Sequence, residues 1–146
     1  MSGKPALKRI WRDQHWEWLL VLGITGLGAL LRCVALDRLP PGLYHDEAFN
    51  GLDAVQVLGG RWPLFFEANN GREPLFIYLT AVAVAIWGRS PGALRCVAAL
   101  VGTLLLPATY LLGRSLYGRR EGAIAALLAA TTVWTLNLSR VALRAG

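Results

Sequence analysis

Four apolar runs dominate the chain and limit what it can fold into. They cover residues 18–36, 74–87, 95–112 and 123–138, and basic residues cluster near their ends. The first run is broken only by Arg32 and would be about 28 Å long as a helix, close to the ~30 Å hydrocarbon core of a bilayer. The sequence therefore predicts an all-α, polytopic membrane protein.

Composition also favours contact with lipid. Of 146 residues, 55% are hydrophobic and 16% are charged, and the mean hydropathy is +0.43, a combination that is rare in soluble domains. The net charge of +6 does not indicate a nucleic-acid partner, because the basic residues form no stripe with interleaved aromatic side chains. Cys33 and Cys96 lie in or beside apolar runs, so neither a disulfide framework nor a Cys-rich metal site is predicted.

Residues 1–17 are basic and aromatic and lead into the first apolar run. No small-x-small cleavage site follows that run, so we interpret residues 18–36 as an uncleaved signal anchor rather than a signal peptide. The positive-inside rule then places the N-terminus in the cytoplasm. The expected localisation is the plasma (inner) membrane, as a multi-pass protein. The basic residues that set this orientation are Lys4, Lys8, Arg9 and Arg12.

The pattern leaves three or four spans open. The run at 74–87 would be about 21 Å long as a helix, which is short for a span and typical of a juxtamembrane helix. If it does not cross, the basic connection 113–122 is cytoplasmic, and the tail 139–146 lies outside with the acidic loop 37–73. If it crosses, both assignments invert. The compact basic cluster in the 113–122 connection favours three spans plus one membrane-surface helix.

The acidic loop contains the sharpest candidate site, the adjacent carboxylates of Asp46 and Glu47. Such a pair close to lipid suits a general base. The first turn of a solvated helix explains the same pair without chemistry, because the helix dipole favours acidic residues there. Tyr44 and His45 precede the pair directly.

A short surface helix is expected to begin near the same pair, with Asp46 as its N-cap. Asp46, Asn50 and Asp53 would share one face of this helix. Apolar residues at a spacing of three would form another face, which would lie against the membrane surface. These residues are Phe49, Leu52 and Val55.

Two further segments bring polar side chains to the ends of apolar runs. Arg72 and Glu73 precede an aromatic helix that contains Tyr78, and a helix start can hold an anion. A loop, a proline at the first helical position and an interfacial tyrosine would explain these residues without a ligand. Arg140 and Arg144 follow the last run, where arginines either reach lipid headgroups or clamp a phosphate.

Four motifs occur in a recognisable order along the chain. They are Leu-Pro-Pro-Gly-x-x-x-Asp-Glu-Ala at 39–48, Glu-Pro-Leu-Phe-x-Tyr at 73–78, Leu-Arg-Cys-Val at 94–97 and Leu-Tyr-Gly-Arg-Arg at 116–120. This order resembles glycosyltransferase family 39 of the GT-C superfamily, which includes protein O-mannosyltransferases and bacterial aminoarabinose transferases. The resemblance spans roughly residues 16–146. Members of that family are several times longer, so we expect a fragment.

The resemblance implies the N-terminal part of a GT-C-type transmembrane bundle, with juxtamembrane helices in the first extracytoplasmic loop. It implies that Asp46 is the catalytic acidic residue that acts on the acceptor hydroxyl, with Glu47 beside it. It also implies that polar residues near 72–74 lie close to a lipid phosphate. Our candidates for substrate binding are Tyr44, His45, Arg72, Glu73, Tyr78, Arg140 and Arg144.

The function expected from this resemblance is inverting transfer of a sugar from a polyprenyl-phosphate donor to an acceptor lipid, glycan or protein. Asp46 and Glu47 offer oxygen ligands for a divalent metal ion, but no complete ligand set is visible and no cofactor is predicted with certainty. The alternative is a non-catalytic membrane subunit or a transporter fragment. The interiors of the apolar runs lack Asp, Glu, Lys and His, which argues against an ion path.

Overall fold

The structure is a computed structural model that describes residues 4–67 and 71–142, with side chains from residue 16 onward. The side chains of Lys4, Lys8, Arg9, Arg12 and Arg144 therefore lie outside the described residues. Within the described ranges all long elements are helices. They are α1 (Lys4–Cys33), α2 (His45–Leu58), α3 (Pro74–Trp87), α4 (Pro91–Leu116), α5 (Arg119–Thr131) and α6 (Val133–Arg140).

Two helices in the described part of the chain are long and apolar enough to cross a bilayer. These are α4 and the Trp16–Cys33 part of α1, and the bent pair of α5 and α6 adds a third span if it is counted as one. α3 has 14 residues and is too short by the same measure. The prediction of an all-α membrane protein is confirmed at this level.

The last apolar run is broken where the sequence predicts one continuous helix. α5 and α6 meet at an angle of 57° around Thr132, which has an extended backbone. The Thr131 and Thr132 hydroxyls donate to the carbonyl oxygens of Leu127 and Leu128, at 2.9 and 2.6 Å. Threonine hydroxyls that bond the preceding turn bend helices, which accounts for a break at this point.

α2 begins at His45 with Tyr44 as its N-cap, so the predicted cap at Asp46 is wrong by two residues. The Glu47 side chain causes the earlier start, because its Oε2 accepts a 2.9 Å hydrogen bond from the Tyr44 backbone N–H. The face of α2 that packs inward is largely polar, and Leu52 on the apolar face is 61% exposed. The buried residues are Glu47, Asn50, Asp53, Ala54 and Val57.

Ion pairs and hydrogen bonds define two ends of the helix bundle. At one end, which we call the Glu17 end, the carboxylate of Glu17 pairs with Arg114 at 2.6 Å and with Arg119 at 3.1 Å. At the other end, which we call the α2 end, the Asp37 carboxylate accepts a 2.8 Å hydrogen bond from the Gly92 N–H. The connection between α1 and α2 therefore lies beside the start of α4.

Both ends of α3 belong to the α2 end of the bundle. Its first turn follows Arg72, which contacts α2, and its last residue is four positions before the start of α4. The end of α6 returns to the same place, because the Ala142 carbonyl oxygen accepts a 2.7 Å hydrogen bond from the Asn50 side chain. α3 therefore does not run from one end of the bundle to the other.

Candidate functional site

A pocket of about 440 Å³ lies at the α2 end, between α3, α4 and α6. Most of its wall is apolar, and a smaller number of polar side chains interrupt that wall. The apolar residues are Phe76, Ile77, Ala98, Val101, Leu105 and Leu138. The polar ones are Arg32, Asn50, Arg72, Glu73, Thr135 and Ser139, with Gly102 between them and the apolar wall. Of the predicted substrate-binding residues, the pocket thus contains Arg72 and Glu73.

Arg72 is buried and joins the loop before α3 to the polar face of α2. Its guanidinium donates to the side chains of Asn50 and Asp53 and stands 6.0 Å from the centre of the Phe49 ring. Two backbone hydrogen bonds with Phe66, at 2.8 and 3.1 Å, fix the Arg72 main chain. Burial raises the pKa of the Asp53 carboxyl, although the Arg72 charge acts in the opposite direction.

Glu47 is buried, and each oxygen of its carboxylate accepts two hydrogen bonds. Arg95 donates to Oε1 from Nε at 2.8 Å and to Oε2 from Nη2 at 2.9 Å, and both side chains are 0% exposed. The backbone N–H groups of Tyr44 and Ala142 each donate at 2.9 Å. Burial alone would raise the pKa of Glu47, but these hydrogen bonds and the Arg95 charge outweigh it and lower the pKa.

Arg95 also fixes the turn that leads into α2. It donates to the carbonyl oxygens of Leu36, Pro40 and Gly42 at 3.0, 2.9 and 2.6 Å. Arg95 belongs to the Leu-Arg-Cys-Val motif, from which no role was predicted for it. An arginine at the first position of an apolar run was the available signal, because a charge next to such a run needs partners.

Asp46 differs sharply from its neighbour in exposure. Its side chain is 39% exposed, and one carboxylate oxygen lies 3.7 Å from Nδ1 of His45. Tyr44 and His45 are exposed as well, and the His45 ring packs edge-on against Phe49 at 4.7 Å between ring centres. Asp46 does not line the pocket, but it lies one helical turn before Asn50, which does.

Tyr78 supports the loop before α3. Its hydroxyl donates to the Pro63 carbonyl oxygen at 2.7 Å, and its ring packs beside those of Trp62 and Phe66. These contacts use the polar atom of Tyr78, and the residue does not line the pocket between α3, α4 and α6.

Arg140 contacts the end of α1. Its guanidinium donates to the carbonyl oxygens of Leu31, Val34 and Leu39, at 2.5, 2.7 and 3.3 Å. A cation at this position satisfies carbonyl groups that a helix end leaves without partners. Arg140 is outside the same pocket, and its predicted companion Arg144 lies outside the described residues.

Arg32, which in the sequence is only an interruption of the first apolar run, lines the pocket. It is 1% exposed and donates to three carbonyl oxygens, those of Gly28, Ala129 and Ala130, at 3.1, 3.0 and 3.3 Å. Two of these carbonyls belong to the last turn of α5, before the break at Thr132. Nε of Arg32 is buried, and none of the residues that the structure describes accepts a hydrogen bond from it.

Within residues 4–67 and 71–142, no three side chains of His, Cys, Asp or Glu are grouped closely enough to hold a metal ion. Of the two expected oxygen ligands, Asp46 faces solvent in part, whereas Glu47 is bound to Arg95.

A family model described as dolichyl-phosphate-mannose-protein mannosyltransferase matches residues 71–144. The match covers 74 of the 146 residues and includes α3 to α6, among them the three helices that form the walls of the pocket, α3, α4 and α6.

The chain belongs to this family. The family is one of membrane glycosyltransferases. The resemblance found in the motifs is therefore confirmed at the level of the family. Asp46 and Glu47 precede the matched range, so the family assignment rests on the part of the chain that begins just before Arg72. No curated protein and no solved structure matched the chain.

Proposed function

We propose that the chain takes part in the transfer of a sugar from a polyprenyl-phosphate donor to an acceptor hydroxyl. The observation that carries this proposal is the pocket, which joins an apolar wall to two buried arginines, Arg32 and Arg72. A polyprenyl phosphate has the same two parts, a hydrocarbon chain and an anion. Pockets that are mostly apolar with a few placed polar groups are typical of small-molecule sites.

The proposed orientation puts the α2 end of the bundle outside the cytoplasm. Arg114 and Arg119 at the Glu17 end would face the cytoplasm, as the positive-inside rule favours. α3 would lie at the outer membrane surface, and the pocket would be reached from the outer half of the plasma (inner) membrane. The donor could then enter the pocket from the lipid.

In the proposed reaction Asp46 is the general base. Its carboxylate takes the proton of the acceptor hydroxyl while the hydroxyl oxygen attacks the anomeric carbon of the sugar. The bond between that carbon and the phosphate oxygen breaks, and the phosphate leaves with the electron pair, so the anomeric configuration inverts. Partial exposure of Asp46 supports this role, because an acceptor must reach the base.

Glu47 receives a different role in the proposal. Its carboxylate accepts four hydrogen bonds, so neither oxygen is available to an acceptor. We assign it to holding the first turn of α2, and with it Asp46, at a fixed place beside α4. Tyr44 and His45 are exposed next to Asp46 and are our candidates for contact with the acceptor.

The leaving phosphate requires positive charge near the pocket. Arg72 lines the pocket beside Glu73, and Asn50 and Asp53 hold its guanidinium in place. A fixed cation can stabilise negative charge that develops on a leaving group without having to reorganise during the reaction.

The test is sugar transfer by membranes that contain a protein with the whole of this sequence. The assay uses a radiolabelled polyprenyl-phosphate sugar, and the variant is Asp46→Asn. We expect a loss of about 100-fold or more, because general base catalysis contributes that much. Glu67→Gln is the matched control, since Glu67 is an exposed carboxylate of the same loop. Wild-type transfer by Asp46→Asn would refute the assignment.

A further inference from the structure

We propose that the Glu17 end of the bundle binds the phosphate group of an anionic phospholipid, through the guanidinium groups of Arg114 and Arg119. The inference goes beyond the proposed function, because none of these residues lines the pocket. In the orientation proposed above, the lipid belongs to the cytoplasmic leaflet.

Three helices hold the two arginines together. The carboxylate of Glu17 in α1 pairs with Nη1 of Arg114 in α4 at 2.6 Å and with Nε of Arg119 in α5 at 3.1 Å. The Glu17 side chain is only 6% exposed, and the buried hydroxyl group of Tyr110 donates to the same carboxylate. Because the anion between them is buried and fixed, both guanidinium groups have a defined position.

Each guanidinium group keeps hydrogen-bond donors that the described residues do not use. Arg114 contacts Glu17 through Nη1 and Arg119 does so through Nε, and no acceptor within residues 16–67 and 71–142 meets their other nitrogens. The two side chains are 33% and 55% exposed, so a ligand can reach these nitrogens. A planar guanidinium group with free N–H groups suits the paired oxygens of a phosphate.

The balance of charge at this end favours an anion. The single carboxylate of Glu17 stands against two guanidinium groups. Arg120 and Glu121 follow Arg119 and are exposed, and their charges offset each other. One positive charge therefore remains, and a lipid of net negative charge complements it. A zwitterionic lipid would bring an ammonium group to the same place.

The site also lies at the depth of phospholipid phosphates. Glu17 is the second residue of the span Trp16–Cys33, and Arg114 is in the last turn of α4, the second span. Both residues are thus at the boundary of the hydrocarbon core. Trp16 and Tyr117 are 69% and 77% exposed, and such aromatic side chains are typical of the membrane interface.

Exposed apolar side chains continue from the site toward the middle of the bilayer. Each of the three helices has one within about two turns of its site residue, and these are Leu20, Leu112 and Ile124. Acyl chains attached to the bound phosphate would contact these side chains. A soluble phosphate gains nothing from them, so the surroundings fit a phospholipid better.

The experiment titrates dioleoylphosphatidylglycerol against the purified chain in neutral detergent, and native mass spectrometry measures the bound lipid. Dioleoylphosphatidylcholine, glycerol phosphate and farnesyl phosphate, a short polyprenyl phosphate, are titrated separately. The site variants are Arg114→Gln and Arg119→Gln, each of which leaves the other arginine paired with Glu17. Arg120→Gln is the control, because it removes the same charge from an exposed arginine that pairs with no carboxylate in the described part of the chain.

We expect the wild type to bind phosphatidylglycerol about tenfold or more tightly than phosphatidylcholine. Each site variant should weaken the binding of phosphatidylglycerol about fivefold or more, because it removes charge-assisted hydrogen bonds to the phosphate. Arg120→Gln should stay within about twofold, and so should the farnesyl phosphate affinity of both site variants. The thermal unfolding midpoint identifies a variant that fails to fold, in which case the other site variant decides the result.

The contrary outcomes bear on separate parts of the proposal. Undiminished binding by the folded site variants would overturn the role of Arg114 and Arg119. An equal loss in Arg120→Gln would show attraction by net charge alone and would overturn the site. Equal affinity for phosphatidylcholine or glycerol phosphate, or a parallel loss of farnesyl phosphate binding in the site variants, would overturn the ligand class. A wild-type chain that binds phosphatidylglycerol but no farnesyl phosphate would contradict the proposed function and leave this site standing.

Discussion

The carboxylate of Glu47 and the guanidinium of Arg95 form a two-point ion pair that is closed to solvent, with N–O distances of 2.8 and 2.9 Å. The pair joins α2 to α4, and the Ala142 N–H adds the end of α6 through the same carboxylate. Three segments that are distant in sequence therefore depend on one anion. This arrangement fixes the position of Asp46, the residue directly before Glu47 in α2.

Removal of one partner of this pair should destabilise the fold strongly. In Glu47→Gln the shape of the side chain is kept, but Arg95 remains buried with its charge uncompensated. We expect the free energy of unfolding to fall by about 3 to 5 kcal/mol, the usual cost of breaking a buried pair. Thermal or denaturant unfolding in detergent measures it. Glu67→Gln, at an exposed carboxylate, should change stability by no more than about 0.5 kcal/mol.

The same pair predicts how stability depends on pH. The pKa of Glu47 is lowered in the folded state relative to the unfolded value of about 4.3, so its contribution is present above that pH. The contribution is lost as the pH falls through the lower pKa of the folded state. The raised pKa of Asp53 acts in the opposite sense, since its protonation at low pH favours the fold.

The difference between wild type and Glu47→Gln isolates the Glu47 contribution, because both proteins contain Asp53. We expect the gap between their unfolding midpoints to stay constant above about pH 5 and to shrink below about pH 4.3. A gap that does not change with pH would show that the charge of Glu47 does not contribute to stability.

The apolar runs could be identified from the sequence, because the length of a run depends only on which residues follow one another along the chain. The sequence did not separate Asp46 from Glu47, which are adjacent carboxylates with the same local setting. Their difference arises from Arg95 and Ala142, residues 48 and 95 positions beyond Glu47. Contacts at that distance depend on how helices pack, and a single sequence does not specify the packing.

The hydrogen-bond partners of Arg32 could not be predicted from the sequence for the same reason. Its place in an apolar run was visible, but its partners are carbonyl oxygens at the break between α5 and α6. That break replaces a helix that the sequence predicts as continuous from 123 to 138. Threonines at 131, 132 and 135 were the local signal for it, because their hydroxyls compete for backbone carbonyls.

Arg140 is predicted to act on stability more than on ligand binding. Arg140→Gln removes a cation from the carbonyl oxygens of Leu31 and Val34 at the end of α1 and of Leu39 in the connection to α2. We expect a loss of about 1 to 2 kcal/mol in the free energy of unfolding, in the range of a cation at a helix C-terminus. Farnesyl phosphate affinity measured on the same samples should stay within about twofold. A tenfold weaker affinity at unchanged stability would place Arg140 in the ligand site.

The course of α3 gives a prediction about membrane topology. The contacts put both ends of this helix at the α2 end of the bundle, and its 14 residues span only about 21 Å. The connections before and after α3 should therefore be on the same side of the membrane. The connection between α4 and α5, which meets Glu17, should be on the opposite side.

Single cysteines at three exposed positions test this arrangement, in a background that lacks Cys33 and Cys96. The substitutions are Leu64→Cys before α3, Arg89→Cys after it, and Arg120→Cys at the start of α5. In intact cells a membrane-impermeant maleimide should label the first two, and should label Arg120→Cys only after permeabilisation. If α3 crosses the bilayer, Leu64→Cys and Arg89→Cys must react from opposite sides. In that case the maleimide would label Arg120→Cys from the same side as Leu64→Cys. The end of α6 would then lie on the opposite side of the membrane from Glu47, which contradicts the hydrogen bond from the Ala142 N–H to Glu47.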